Sequence, residues 1–506
     1  MLHCSGPWGG HAITPPRPVE TADESDARPL IPPDVTFHGK RFGAEALADI
    51  AAAWHDDVAA RLLPAPDAVA VVTPSHPETI ALVFALSALP IPVVLLHPEP
   101  ATWRSAPPFP RAMPVFLTPA AAHFGSALAT AGLAATVMAP PRPAGSRPRF
   151  LSTPGFVIFT SGSTGAPKPT FRSTTGLLRV AATIARTYAL RPGVKIAGCL
   201  PLATSFGLTQ NMILPALLRG HVSLIERFDH RSLLNLFAAD SFDYWPGTAL
   251  MADLLVRAPL GDWSGRAPAI CNLSSGHLPV AVYHRFLERF GVPIRQSYGR
   301  SECSFITSET APVDGIRPET VGFPSPGVDI RCGDSPDAPA ATGDPGRIWI
   351  NCPWHSEGYG FPPHLEPMAR PDGWCATEDV GMLSADGRLT ILGRIDDCFK
   401  TTGGFLVSPA LVAGALRAHP DVVDAAVVPV PGRSGAMIGI VAATRGTVGI
   451  AEVHELARRA LPSWLRPAVV AMRPEIPALV TGKHDRAACI RLLEGEMSGH
   501  DGEPRS

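Results

Sequence analysis

No two of the nine cysteines form a C-x-x-C pair, and no cysteine–histidine cluster has metal-ligand spacing. They stand scattered at positions 4, 199, 271, 303, 332, 352, 375, 398 and 489. That scatter argues against a metal site and for buried thiols kept reduced in the cytoplasm. Strong charge is missing as well. A formal net charge of −2, with 17% charged residues, gives no long-range pull toward nucleic acid or an anionic membrane. Lysine is scarce beside arginine and alanine. Met1–Pro33 holds no apolar core, so no secretory leader is expected there. Thr79–Leu96 is almost wholly apolar, yet Pro90 and Pro92 break it into a helix-like and a strand-like half. No membrane span is expected, and no internal repeat is visible.

What is present is material for a large core. With 506 residues and 46% hydrophobic composition, the chain is expected to form two or three domains. Its 56 prolines and 46 glycines imply many turns. Residues 1–34, rich in proline, glycine and acids, read as a disordered arm. Leu47, Ile50, Ala51, Trp54, Val58 and Leu62 recur at helical spacing. Ala68–Val72, a helix near Glu78–Leu89 and Val93–Leu96 then read as a strand–helix–strand unit, which points to parallel α/β layering continuing to about residue 300. Near Arg347–Asn351 and Arg388–Leu392 the pattern changes to short strands, as in an antiparallel or β-barrel-like subdomain. Pro409–Ala418, Val422–Pro429, Met437–Ala443 and Val453–Ala460 predict a small α+β domain, followed from about Gly495 by a polar tail.

One stretch carries most of the chemistry. Phe156–Lys168 starts as a buried strand, turns glycine-rich and hydroxylated, and ends in a lysine. Gly162 and Gly165 let backbone N–H groups approach an anion. Thr160, Ser161, Ser163 and Thr164 add hydroxyl donors, and Lys168 adds charge. The pattern G-x-x-x-x-G-K-[ST] fails, because prolines flank Lys168, and so does the nucleophile elbow G-x-S-x-G. By itself the stretch reads either as a plain Gly/Ser turn or as a polyphosphate loop of another kind.

Four more stretches follow: Gln296–Glu302, Trp374–Gly381, Leu392–Gly404 and Thr481–Arg486. In this order and at these separations they resemble the motifs of the adenylate-forming superfamily, which takes in acyl- and aryl-CoA synthetases, carrier-protein adenylation enzymes and luciferases. The resemblance covers roughly residues 36–490. It implies an α/β protein with a large N-terminal domain (35–393), a hinge (394–396) and a small mobile C-terminal domain (397–494), using ATP and Mg²⁺.

Carried over by position, Thr160–Gly165 and Lys168 hold the β- and γ-phosphates, with Thr164 close to the chemistry. Tyr298 and Gly299 meet the adenine, Glu302 holds Mg²⁺, and Asp379 and Arg394 grip the ribose. Lys400 joins the nucleotide-binding set, Asp396 is the hinge and Lys483 is the catalytic lysine. Gly403 and Gly404 belong to the loop that approaches the thiol. The acid pocket is assigned to Thr204, Trp245, Ser275, Gly276 and His277, with core packing an equal reading for Trp245.

The chain also departs from the family pattern. Ala203 and Thr204 replace an aromatic residue and a histidine before Ser-Phe-Gly. Arg300 replaces a small or neutral residue, and pairs either with substrate or with a neighbouring acid. Pro169 replaces a glycine, and Ala410–Ala413 lacks the usual glutamates. The expected activity is AMP-forming ligation of a carboxylic acid, a compact aromatic one such as a hydroxybenzoate, to the phosphopantetheine thiol of CoA or of a holo acyl carrier protein acting in trans. The alternatives are a medium- or long-chain fatty acid ligase and a degenerate nucleotide-binding member without turnover.

Overall fold

The computed structural model describes residues 29–500 except 63, 101–102, 104–108, 111–112, 142–145, 161–166, 260–262, 277, 404–405, 418, 420, 433–434, 446–447, 461–464 and 478–483. Two largely parallel sheets face each other across a layer of helices. One sheet runs through Val69–Val72, Val93–Leu96, Val115–Leu117, Ala135–Val137 and Gly155–Thr160. The other runs through Asp34–Phe37, Lys195–Gly198, His221–Leu224, Tyr244–Thr248, Ile270–Ser274 and Ile294–Tyr298. Val69–Val72 and Val93–Leu96 pair in parallel and are buried at every position. Continuous apolar strands of this kind need cover on both faces. The helices Ala44–Arg61, Pro77–Leu86 and Thr174–Thr187 cover one face, merging with strands of both sheets into one core, and Trp103, Met113, Ala121 and Leu128 cover the other.

Local chemistry sets the boundaries of these elements. Pro77 opens its helix, where a missing N–H costs nothing, and the His76 ring accepts the Glu78 N–H at 3.2 Å. The apolar stretch after Thr79 is thus half buried helix and half buried strand. Among the described residues no helix is long and apolar enough to cross a membrane.

The strands on either side of the glycine-rich stretch pair with each other. Gly155–Thr160 pairs antiparallel with Lys168–Ser173, from Gly155 opposite Ser173 to Thr160 opposite Lys168. Gly358–Phe361 then pairs with the return strand. A five-stranded antiparallel sheet follows, containing Gly346–Asn351, Trp374–Leu383 and Leu389–Arg394. Its strand Trp374–Leu383 sets Asp379 opposite Arg394.

Among its described residues the small C-terminal domain has a three-stranded sheet, Val422–Gly432, Gly435–Thr444 and Val469–Met472, a two-stranded pair, Phe399–Lys400 with Leu406–Val407, and the helices Pro409–Arg417, Ile450–Ala460 and Arg486–His500. It has its own core around Val412, Leu416, Ile440 and Val453. The last helix reaches His500, so regular structure continues five residues past the tail boundary expected at 495. The seven described cysteines at 199, 271, 303, 332, 352, 375 and 489 are buried and free, and Cys398 is half-buried and free.

Candidate active site

A cleft of about 2120 Å³ opens where the hairpin, the turn after Ile294–Tyr298, the antiparallel sheet and the helix Pro409–Arg417 converge. Thr160, Lys168, Tyr298, Gly299, Glu302, Asp379 and Arg394 all line it, although up to 234 positions separate them in sequence. Thr204, Ser275 and Gly276 line it too.

The turn that carries Glu302 is tightly built. At Gly299 a Cβ would fall 1.8 Å from the Ser304 carbonyl oxygen, so no side chain fits there. The Ser304 N–H returns to the Arg300 carbonyl at 2.6 Å, and the Ser356 N–H donates to the Glu302 carbonyl at 2.6 Å. Arg172, 1% exposed, closes the turn from below. Its Nη1 donates to the Ser301 carbonyl at 2.5 Å and to Ser304 Oγ at 2.8 Å, and its Nη2 donates to the Trp354 carbonyl at 3.0 Å. Arg172 thus ties the glycine-loop hairpin to the segment that presents Glu302. Burial pulls its guanidinium below the usual arginine range. No described carboxylate makes a salt bridge with it.

Above this base lies a lattice of charge. Tyr298 Oη donates to Asp379 Oδ2 at 2.5 Å, and Arg300 Nη1 donates to the same oxygen at 3.1 Å. Arg300 Nε stands 3.5 Å from Glu302 Oε2, while Tyr359 Oη donates to Glu302 Oε1 at 2.8 Å. Arg394 Nη1 lies 3.8 Å from Asp379 Oδ1, and its Nη2 holds Glu378. Burial would lower Arg300, but Glu302, Tyr298 and Asp379 outweigh it and hold the guanidinium above its ordinary range. Burial and Asp379 push the Tyr298 phenol up, and burial and Glu302 do the same to Tyr359. Both phenols therefore stay protonated and serve as donors. Of the two pairings open to Arg300, the structure takes the neighbouring acids, and it takes two of them.

Other expected residues lie elsewhere. Trp245 does not line the cleft. Strand residues alternate in direction, and Trp245 points away from the face that Thr248 presents. Its indole stacks on Phe286 at 6.1 Å and donates to Cys199 Sγ at 3.2 Å, wholly buried in a second core. Core packing is the correct reading of Trp245. Thr204 is committed to the backbone: Oγ1 donates to the Pro201 carbonyl at 2.9 Å and accepts the Gly207 N–H at 2.9 Å. Lys400 and Gly403 are exposed outside the cleft, and Gly403 borders a separate hollow of about 180 Å³. Asp396 is exposed between the two domains, its carbonyl 3.4 Å from Arg486 Nη1. Ser161, Gly162, Ser163, Thr164, Gly165, His277, Gly404 and Lys483 lie outside the described residues.

Sequence reasoning missed Arg172 and Tyr359. The signal for Arg172 was its place in a hairpin strand in phase with Thr170, also fully buried. Tyr359 arrives on a strand 57 positions from Glu302 and carried no local signal.

Residues 116–360 match the family model of AMP-binding enzymes, and residues 412–483 match that of the AMP-binding enzyme C-terminal domain. The chain is 29% identical over 325 residues to a sulfoacetate–CoA ligase of Cupriavidus necator, covering 63% of this chain and 61% of that protein. It is 27% identical over 358 residues to a 3-hydroxybenzoate–CoA ligase of an Aromatoleum species, covering 67% and 66%. Less than two thirds of either relative's length is thus matched. The crystal structure of apo MatB from Rhodopseudomonas palustris has the same fold, with TM-score 0.74 at 23% identity, covering 92% of this chain and 97% of that one. The chain belongs to the AMP-binding enzymes of the adenylate-forming superfamily.

Proposed function

We propose that this AMP-binding enzyme activates a carboxylic acid with ATP and passes the acyl group to a phosphopantetheine thiol. The observation that carries this reading is the meeting of Thr160, Lys168, Tyr298, Glu302, Asp379 and Arg394 around one cleft. In the first step a carboxylate oxygen attacks the α-phosphorus, forming a P–O bond. The bond to the bridging oxygen breaks, and its electron pair leaves with pyrophosphate. In the second step the thiol sulfur attacks the acyl carbon, AMP departs, and the thiol proton passes to solvent.

The first step brings two anions together, so positive charge near the phosphoryl oxygens helps most as the transition state forms. The glycine-rich stretch and Lys168 clamp the departing phosphates. Asp379 and Arg394 hold the ribose, and Tyr298 lies against the base. Glu302 fits a divalent cation, since it is a hard oxygen donor facing the cleft with a second-layer partner in Tyr359. Glu302 would hold Mg²⁺ there, and the ion would supply charge neutralisation at the phosphates. Lys483, on the C-terminal domain, supplies further charge near the α-phosphate, and Asp396 serves as the hinge. Gly403 and Gly404 approach the thiol after the domain turns. Relative motion of domains is the default unless the interface is large and hydrophobic, and the exposed Asp396, held among the described residues only through its carbonyl 3.4 Å from Arg486 Nη1, suits a hinge.

The acid is compact and aromatic on this reading, the acceptor is CoA or a carrier protein acting in trans, and the location is cytoplasmic. The 3-hydroxybenzoate–CoA ligase relative supports the acid class. The test is acid-dependent ATP–pyrophosphate exchange across aromatic and aliphatic acids, followed by offering the best acid CoA or a holo carrier protein. Exchange that depends on an acid is expected. ATP binding without exchange for any acid identifies a nucleotide-binding protein without turnover.

A further inference from the structure

We propose that His97 is a further nucleotide-binding residue, its Nε2–H donating to the terminal phosphates of ATP beside Thr160 and Lys168. This deepens the proposed function and rests on it for the place of the phosphates.

His97 follows the strand Val93–Leu96, which pairs in parallel with Gly155–Thr160 through Val93 opposite Phe156 and Val94 opposite Val157. Carried on three residues, that register sets His97 beside Thr160 at the C-terminal ends of two neighbouring strands. Ligands of parallel α/β sheets gather at such ends. Strand residues two apart share a face, and the packing shows which face this is. Val93, Leu95, Phe156 and Ile158 belong to the core shared by the two sheets, whereas Val94, Leu96 and Val157 belong to a separate core on the opposite face. His97 continues the first series from Leu95, and Thr160 continues it from Ile158. Lys168 joins them, since it stands opposite Thr160 across the antiparallel pair. All three line the cleft, and none is fully buried. Imidazole, hydroxyl and ammonium thus form a row across three adjacent strands, about 10 Å from end to end over two strand spacings. A row of donors of that length suits a polyphosphate better than a lone carboxylate.

The ring's own bonds settle which nitrogen is available. Nδ1 accepts the Glu99 N–H at 3.0 Å, and the Trp103 indole donates to the His97 carbonyl at 2.8 Å, so the residue is held in place from two sides. Partial burial keeps the imidazole below the ordinary histidine range, with Glu99 opposing the shift, and the neutral ring is the resting form near pH 7. A neutral ring that accepts at Nδ1 carries its proton on Nε2. Among the described residues Nε2 has no hydrogen-bond partner. A fixed N–H at the edge of the cleft offers an anion one more donor and needs no reorganisation to give it.

The test uses the full chain and separates the two nitrogens. His97→Asn keeps an acceptor for the N–H two residues on, as Asn does in turns, but is too short to replace Nε2. His97→Ser keeps that acceptor too and serves as a second variant should the first not fold. His97→Gln gives up the turn but places an amide N–H at about the reach of Nε2. Calorimetry with Mg²⁺ then compares ATP with AMP, which shares the base, ribose and α-phosphate and lacks the terminal phosphates. His97→Asn is expected to weaken ATP by about tenfold and to leave AMP within about twofold, the loss of one hydrogen bond to a charged group. In pyrophosphate exchange the same loss should appear as a raised KM for ATP with kcat changed less. His97→Gln should return ATP affinity to within about threefold of wild type. Unchanged ATP affinity in the folded Asn or Ser variant overturns the proposal, and so does an equal loss for AMP. A Gln variant as weak as the Asn variant assigns the loss to the turn and overturns it too. Absence of exchange with every acid counts against acid activation, and the comparison of ATP with AMP still decides the role of His97.

Discussion

In the N-terminal body, Arg172, Glu302 and Asp379 are each under 10% exposed, and Arg300, Glu302, Asp379 and Arg394 at the cleft are each met by an opposite charge. In the C-terminal domain, Lys400 and Gly403 are exposed and outside the cleft, and the Arg486–Asp397 pair beside the hinge is itself largely solvated. One side of the reaction space is preorganised and the other is loosely held. The difference teaches a division of labour. Binding and aligning a triphosphate rewards rigid charge, since donors fixed in advance need no reorganisation as charge develops. Bringing two different groups in turn to one reacting centre rewards a domain that moves. On the proposed function, the buried lattice supplies geometry, and the exposed joint supplies exchange of partners.

The sharpest way to break this contrast is at Glu302. Glu302→Gln is expected to lower pyrophosphate exchange by 10²–10³-fold, about the cost of losing one preorganised electrostatic group. Its thermal melt should stay close to wild type. A fall below tenfold removes Glu302 from the reaction centre. Next in size is Arg172→Met, which strands the Ser301 and Trp354 carbonyls in a buried site. Denaturant unfolding of the body should lose about 2–4 kcal/mol. Exchange in the remaining folded protein should drop about tenfold, and Arg172→Lys should recover part of both. Full exchange in a destabilised Arg172→Met protein limits the residue to folding.

Smaller still is Lys168→Ala, expected to raise the KM for ATP about tenfold with kcat less affected, because the proposed role of the exposed Lys168 is to clamp phosphates. A kcat collapse at unchanged KM reverses that assignment. The smallest effect belongs to the joint. Arg486→Ala should shift stability by less than about 1 kcal/mol, as for other solvated pairs. It should change each half-reaction by no more than about threefold. A large loss in one half-reaction shows that the pair latches a pose.

How much of this was legible in the chain varies with the range of the forces involved. Val69–Val72 and Val93–Leu96 announce themselves, because a strand covered on both faces must be apolar throughout. Tyr298, Glu302, Asp379 and Arg394 were legible from motif spacing, because each sits at a fixed offset from a turn or a strand end. Trp245 was not: the choice between cleft and core depends on which face of the strand it takes, and register with neighbouring strands sets that. Tyr359 reaches Glu302 only because a distant strand adds to the hairpin edge.

The most direct measurement separates the two half-reactions in Lys483→Ala. Exchange reports formation of the acyl-adenylate, and thioester formation from chemically prepared acyl-adenylate reports transfer. A divided site predicts loss of exchange by at least a thousandfold with transfer within about threefold of wild type, since the lysine acts only while pyrophosphate leaves. Equal loss of both half-reactions contradicts it and places Lys483 in a single, undivided centre.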